Sequence, residues 1–221
     1  SVDARIDMLG RLIERTVEQA QRWVDAAVQA KGIDESALAG EEWASGPWAL
    51  ILGCDHLQRT LEALRDEKSL LRGIKVRPGV TGQTVARVHP ADVWERLLLS
   101  GVRAEVWMEP GIGVDELEEH MASSYRGEPP EARVALILGA GNIASIPPLD
   151  TLHKLFIEGQ VCIVKMNPVN DYLGPIFEDI FEEFVDEGFL RFAYGGADVG
   201  KYLTTHELVE EVHVTGSEKT H

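Results

Sequence analysis

The residues best placed for chemistry form a short glycine turn, Gly139-Ala-Gly-Asn142, between an apolar run and a helical stretch. Together with Ala144, the turn matches the G-x-G-x-x-A pattern of dinucleotide-binding turns. Backbone N–H groups at a strand-to-helix turn are well placed to hold phosphate. Two alternatives stay open at this point. The glycines form a tight turn and nothing more, or Asn142 is there because asparagine tolerates unusual backbone angles.

The next apolar run, Val161–Lys165, ends in a cation. A conventional dinucleotide site expects an acidic residue there, which holds a ribose hydroxyl. Lys165 therefore supports such a site only in part. The alternative is that Lys165 is simply a charged residue at the end of a strand, in solvent.

These residues are positioned by one predicted strand–helix–strand unit. Val134–Leu138 is too short and too continuously apolar for a surface helix, which predicts a buried strand. Pro147-Pro148 stand at the start of a helix predicted over 149–158, where a missing N–H costs least. Gly159 ends that helix, and Val161–Lys165 is predicted to be a second buried strand. The connection is long enough for a parallel pair.

The second half of the chain continues this alternation of strands and helices. Further elements are predicted as a helix from Asn170 or Asp171 to Glu187, strands over 190–194 and 211–215, and a glycine turn over 195–200 that leads into a short helix. Such alternation predicts a parallel sheet covered on both faces. The predicted fold class is α/β, a Rossmann-like parallel sheet with flanking helices, preceded by a helical N-terminal region and a small strand pair.

The first half is predicted to be helical at its start and to contain short strands later. Predicted helices cover 5–31, 47–71, 89–99 and 114–124, with a loop over 32–46, and predicted strands cover 74–77, 84–88 and 102–108. Cys54 lies on the apolar stripe of its helix and is predicted to be a core residue. We expect three regions: a helical region over 1–72, a strand-pair connector over 73–130 that could serve oligomerisation, and a cofactor-binding region over 131–221.

Composition and charge exclude several classes of function. The net charge of −16 argues against binding to nucleic acid or to an anionic membrane. No apolar run reaches the length of a membrane span. Two cysteines give no disulfide framework, which favours a cytoplasmic location. The histidines are scattered and no H-E-x-x-H or C-x-x-C occurs, so no metal site is predicted.

Taken in order, the motifs resemble those of the aldehyde dehydrogenase superfamily. They are Gly139-Ala-Gly-Asn142, Val164-Lys165 followed by a proline-containing loop, Gly195-Gly-Ala-Asp-Val-Gly200 and Val214-Thr-Gly-Ser217. The resemblance extends from about residue 134 to residue 217 and is only general before that.

The resemblance implies a role for each matching residue. Asn142 would be catalytic, because its side-chain amide would help to form an oxyanion hole. NAD or NADP would be held by Gly139, Ala140, Gly141, Lys165, Asn167, Pro168, Gly196, Gly200, Thr215, Gly216 and Ser217. Within that set, Lys165 would bind the adenosine ribose, Gly196 and Gly200 would admit the adenine end, and Gly216 and Ser217 would approach the pyrophosphate and nicotinamide.

The chain departs from the family pattern at three positions. Pro168 stands where the family has a carboxylate that contacts the ribose 2′-hydroxyl, so we expect NADP to be tolerated at least as well as in NAD-specific relatives. Gly141 precedes the asparagine, where a residue such as Trp is usual. His221 stands where a glycine is expected.

The family's catalytic cysteine and general-base glutamate would lie beyond His221, and neither Cys54 nor Cys162 maps to the nucleophile. We therefore expect the N-terminal, cofactor-binding part of an NAD(P)-dependent enzyme that oxidises an aldehyde or reduces an acyl thioester, inactive by itself and homo-oligomeric. Two alternatives remain. One is a self-contained Rossmann-type oxidoreductase, which would lack an obvious proton relay. The other is a non-catalytic member used for binding or assembly.

Overall fold

The computed structural model describes residues 1–33, 38–90, 93–127 and 131–216. Its contacts divide the chain into two compact units. One combines Ser1–Leu61 with Glu128–His221, and the other is Glu62–Gly127. The first unit is therefore discontinuous in sequence. The three-region organisation of the sequence analysis stays a prediction.

The first unit contains a four-stranded sheet in which every strand pair is parallel. Its strands are β4 (Val134–Leu138), β5 (Val161–Lys165), β6 (Leu190–Ala193) and β7 (Glu211–Val214), in the order β6-β5-β4-β7. Leu138 lies opposite both Lys165 and Val214, so the carboxyl ends of the three strands are level with one another. The predicted parallel sheet is confirmed.

The strand–helix–strand unit forms as the sequence predicts. Ala135, Leu136 and Ile137 of β4 are fully buried, as expected for an apolar run in a parallel sheet. The connecting helix α5 (Ile146–Leu152) has proline in its first turn and continues into a π-helical turn over His153–Ile157. Its start lies three residues before the predicted one.

Helices flank the sheet. The first unit has α1 (Val2–Lys31), α2 (Ala39–Ser45), α6 (Gly174–Ile180), α7 (Glu182–Asp186) and α8 (Ala197–Thr204), and α3 (Pro47–Arg65) leads from it into the second unit. The apolar stripe of α1 packs on α6, where the rings of Trp23 and Phe177 form an edge-to-face pair with 4.9 Å between centroids. The helix predicted up to Glu187 is divided into a 3-10 turn, α6 and α7, because Phe181 leaves helical geometry.

Two predictions for the helical region are wrong in detail. The predicted loop over 32–46 contains α2, although residues 34–37 lie outside the described part. This short helix is held by a tertiary contact, since Glu42 is 2% exposed and pairs with Lys31 of α1 at 2.6 Å. The helix predicted to reach residue 71 ends at Arg65, and Glu67 follows with a φ of 53°, which a helix cannot contain.

The second unit contains a three-stranded antiparallel sheet. Its strands are β1 (Lys75–Pro78), β2 (Thr84–His89) and β3 (Ala104–Trp107), and α4 (Val93–Leu98) lies between β2 and β3 in sequence. The predicted strand pair is present, and the third candidate strand joins it. The start predicted for α4 includes residues 91 and 92, which lie outside the described ranges.

The helix predicted over 114–124 is wrong. That stretch forms only two 3-10 turns, Leu117–His120 and Ser123–Tyr125, with a left-handed residue, Ala122, between them. The carboxylate of Glu118 accepts hydrogen bonds from Ser69 and from the backbone of Leu70, which holds the first turn in place. Among the described residues, no helix combines the length and apolarity that crossing a bilayer requires.

Candidate functional site

A cavity of about 910 Å³ opens at the carboxyl end of the parallel sheet. It is bordered by the turns that follow β4, β5 and β7 and by one face of α8. Its lining residues are Leu138, Gly139, Ala140, Gly141, Asn142, Ile146, Lys165, Asn167, Pro168, Ala197, Gly200, Lys201, Thr204, Thr215 and Gly216. Ligands of open α/β sheets bind at this end of the strands, and cofactor sites commonly have volumes of about 300–1,000 Å³.

The structure brings together every predicted site residue except two. Gly196 is not part of the lining; it has extended backbone and precedes the first residue of α8. Ser217 lies outside the described residues. The roles of the gathered residues stay predictions, but their placement around one cavity is a finding.

Sequence reasoning missed five residues of the lining: Leu138, Ile146, Ala197, Lys201 and Thr204. Three of them share the face of α8 that carries Gly200, at the three- and four-residue spacing of a helix. That spacing is visible in the sequence once Gly200 is treated as a site residue. Leu138 and Ile146 are apolar, and their types alone did not distinguish them from core.

The glycines of the first turn allow two loops to approach each other closely. The backbone nitrogen of Gly139 donates to the carbonyl of Lys165 at 3.0 Å. A methyl group in place of the Gly139 hydrogen would lie 3.2 Å from that same oxygen, and one at Gly141 would lie 2.9 Å from Cγ of Asn167. A side chain at either glycine would therefore have to displace a neighbouring group, independently of any ligand.

The side chain of Asn170 links the same two loops by a hydrogen bond. Its side-chain nitrogen donates to the carbonyl of Ala140 at 3.2 Å, and the residue is 3% exposed. The sequence pattern makes Asn170 a candidate cap of the following helix, but its side chain makes no capping hydrogen bond there. The residue instead fixes the turn that borders the cavity.

Gly200 differs from the turn glycines, because local packing does not require it. A methyl group at this position would meet nothing within 4 Å, although the residue lies inside α8. Glycine in a helix costs about 1 kcal/mol relative to alanine. Because Gly200 has no side chain, the space beside the cavity stays open at this position.

The charge of the cavity is opposite in sign to that of the chain. Lys165 is 7% exposed, and among the described residues its ammonium has no hydrogen bond or ion pair. Burial lowers the pKa of Lys165, an effect that the carboxylates of Asp198 and Asp171 partly oppose. Lys201 adds a second cation, and no Asp or Glu is found in the described lining. A chain of net charge −16 thus presents a cationic cavity, which favours an anionic ligand.

Asn142 lies at the exposed end of the glycine turn. Within the described residues, its side-chain amide has no hydrogen-bond partner. The amide is therefore available to a ligand, as an oxyanion-hole donor must be.

The two thiols are unsuited to nucleophilic chemistry. Burial raises the pKa of Cys54 and that of Cys162 to about 12, and neither residue lines the cavity. In the described ranges, no group of three or more His, Cys, Asp or Glu side chains is arranged to hold a metal ion.

Comparisons with known proteins identify the fold. Neither a protein-family model nor a curated protein matches the sequence. Among solved structures, AldH of Staphylococcus aureus is similar over 100% of this chain, with a TM-score of 0.58 and 12% identity. Propionaldehyde dehydrogenase of Clostridium phytofermentans is similar over 100% of this chain, with a TM-score of 0.51 and 14% identity. A bifunctional proline utilization A protein is similar over 96%, with a TM-score of 0.55 and 12% identity.

This chain spans only part of each of these proteins: 37% of AldH, 39% of propionaldehyde dehydrogenase and 17% of the proline utilization A protein. At such low identities the likeness concerns the fold and not the activity. The resemblance first seen in the motifs is confirmed at that level: this chain has the fold of one part of an aldehyde dehydrogenase.

Proposed function

We propose that this chain is the cofactor-binding part of an NAD(P)-dependent oxidoreductase of the aldehyde dehydrogenase type. One observation carries the proposal. The residues that the motifs implicate in cofactor binding, from Gly139 to Gly216, border a single cationic cavity at the carboxyl end of a parallel sheet. An anionic dinucleotide matches that cavity in charge, in size and in its usual location on such sheets.

The residues present fit such a cofactor. The N–H of Gly139 is bonded to the carbonyl of Lys165, so the backbone N–H groups of Ala140, Gly141 and Asn142 are the ones that the turn would offer to phosphate oxygens. Among the described residues, the ammonium of Lys165 has no partner to release before it binds a ribose hydroxyl. Gly200 leaves room on α8 for close approach of the adenosine end. The nicotinamide would supply hydride acceptance when bound. Asn142 would donate its amide N–H to the substrate oxygen as negative charge develops there.

We further propose that the site accepts NADP at least as well as NAD. Pro168 lines the cavity where related enzymes carry a carboxylate, and no carboxylate replaces it in the described lining. A 2′-phosphate would therefore meet no carboxylate in the described lining, while Lys165 and Lys201 would attract it. A strong preference for NAD in a titration of both cofactors would contradict this.

The cofactor proposal is tested by titrating NAD⁺ and NADP⁺ into the chain by calorimetry. Lys165→Met should weaken binding at least tenfold, because a charge-assisted hydrogen bond in a cavity is lost. Lys75→Met is the matched control, since Lys75 is exposed in the other unit. Absence of binding by the unmodified chain, or equal effects of the two variants, would overturn the proposal.

The chain alone should not turn over an aldehyde. Among the described residues, both thiols are buried outside the cavity, so a thiolate nucleophile is not provided. NADH or NADPH formation from a small aldehyde should stay at the level of a blank without protein. Sustained turnover would favour the self-contained oxidoreductase instead. Tight cofactor binding would support the binding role whether or not turnover is seen.

A further inference from the structure

Asp150 does not line the cavity, yet it contacts a residue that does. It lies on α5, and its side chain is 17% exposed. One of its carboxylate oxygens, Oδ2, accepts a hydrogen bond from the hydroxyl of Thr215 at 2.9 Å. The other, Oδ1, lies 3.4 Å from Nε2 of His213 on β7. Asp150 thus joins the helix that follows β4 to the end of β7.

Within the described residues, the strand pairing of β7 ends before the cavity is reached. The last paired residues of the β4–β7 ladder are Leu138 and Val214. Thr215 and Gly216 extend one and two residues past that pair, and both line the cavity. β7 is the terminal strand of the described sheet, so β4 is its one neighbour there. Beyond Val214, where the strand pairing has ended, the hydrogen bond from Thr215 to Asp150 fixes the chain.

Charge makes this contact stronger than an ordinary side-chain hydrogen bond. A hydroxyl that donates to an ionised carboxylate forms one of the stronger hydrogen bonds in proteins. Neighbouring polar side chains pair with one another and not with Asp150: His153 with Glu158, and Lys154 with Glu158 and Glu211. Asp150 is therefore committed to the end of β7 and not to a general ionic network.

We propose that Asp150 is a positioning residue for the cofactor. It holds Thr215 and Gly216 against the cavity, so that affinity for the dinucleotide depends on a residue that does not touch it. This inference rests on the proposed function, since it concerns the same cavity. Asp150 was absent from the sequence-based site, because nothing in α5 marks it apart from an ordinary polar helix position.

The test measures cofactor affinity in a set of variants of the full chain. Asp150→Ala and Thr215→Val should each weaken binding of NAD⁺ or NADP⁺ by roughly tenfold, the usual cost of a hydrogen bond to a charged group. The double variant should bind about as weakly as either single one, because both remove the same contact. Thr215→Ser keeps the hydroxyl and should restore near-normal affinity, which a purely structural loss of the side chain would not allow.

A second measurement does not depend on the cofactor. Amide hydrogen exchange over residues 211–216 should be faster in Asp150→Ala than in the unmodified chain, with no ligand present. Asp150→Asn, which keeps an acceptor oxygen, serves where the alanine variant folds poorly, and it should give a smaller increase.

The outcomes separate the two proposals. If the unmodified chain fails to bind either dinucleotide, the proposed function fails. The exchange data would still show whether Asp150 holds the end of β7 in place. If the chain binds but Asp150→Ala binds equally well, or the two single variants act additively, the positioning role is overturned. Unchanged exchange over 211–216 would overturn it too.

Discussion

The side-chain nitrogen of Asn170 lies 3.2 Å from the carbonyl oxygen of Ala140 and joins the loop after β5 to the loop after β4. The backbone contact between Gly139 and Lys165, at 3.0 Å, joins the same two loops nearby. Both loops border the cavity. Its wall is therefore fixed before any ligand arrives, and a ligand pays little for ordering it.

Replacing Asn170 by alanine should destabilise the chain by about 1–3 kcal/mol, because the buried carbonyl of Ala140 would lose its partner. Urea unfolding followed by circular dichroism measures this. The control is Asn142→Ala, which removes the same side chain from an exposed position in the same cavity and should change stability by less than about 0.5 kcal/mol. Equal effects of the two substitutions would show that the Asn170 contact contributes nothing.

The two kinds of glycine in the cavity should respond oppositely to alanine. Gly141→Ala places a methyl group 2.9 Å from Cγ of Asn167 and should cost about 1–3 kcal/mol of stability through overpacking. Gly200→Ala meets nothing within 4 Å and should stabilise α8 by up to about 1 kcal/mol.

A larger residue at Gly200 separates stability from binding. Gly200→Leu should keep the thermal midpoint near that of Gly200→Ala, because leucine also favours a helix, but it should reduce dinucleotide affinity by occupying the cavity. Undiminished affinity in Gly200→Leu would place the cofactor elsewhere.

Lys165 should make stability rise with pH in the alkaline range. Burial lowers its pKa in the folded chain below the ordinary value of 10.5. Between these two pKa values the unfolded chain binds the proton more tightly, so stability increases as the pH rises through that window. Below that window, the buried ammonium lowers the stability of the folded chain.

Lys165→Met should therefore raise the free energy of unfolding at pH 7, because the variant no longer buries an ammonium group. It should also remove this group's share of the alkaline pH dependence, while weakening dinucleotide binding at least tenfold. Urea titrations at pH 7 and in the alkaline window provide the comparison. A methionine variant less stable than the unmodified chain at pH 7 would show that the ammonium is compensated after all.

The two cysteines should be almost inert towards a thiol reagent in the folded chain. Burial raises both thiol pKa values to about 12, so at pH 8 only about one thiol in ten thousand is ionised. A disulfide reagent such as Ellman's should modify them slowly in buffer and rapidly in guanidinium. Rapid modification of the folded chain, traced to Cys54 or Cys162 by mass spectrometry, would contradict this.

Local signals predicted the elements that carry the cavity. The continuous apolar runs of β4 and β5, the prolines of α5 and the glycines after β4 and β6 each have a direct physical meaning, and each appears in the fold as expected. Most of the cavity followed from them, because parallel strands bring the turns at their carboxyl ends to one edge.

What the sequence missed depends on contacts between distant residues. The helix α2 is held by the pairing of Glu42 with Lys31. The stretch around Glu118, where the sequence predicts a helix, is held in 3-10 turns by hydrogen bonds from Ser69 and Leu70. Neither contact leaves a periodic pattern. Asn170 and Asp150 were missed for the same reason, because their partners, Ala140 and Thr215, lie 30 and 65 positions away in the chain.

The discontinuity of the first unit bears on synthesis. Helix α1 is made before the residues it packs on, since Arg11 pairs with Glu183, 172 positions later. Until α6 and α7 leave the ribosome, the stripe of α1 that includes Leu9, Leu12 and Trp23 has no sheet-side partner to cover it. At about 5–20 residues per second, that interval lasts roughly ten seconds or longer. The nascent chain therefore exposes this stripe on its sheet side for a time, and α1 reaches its native packing only after the intervening unit has been made.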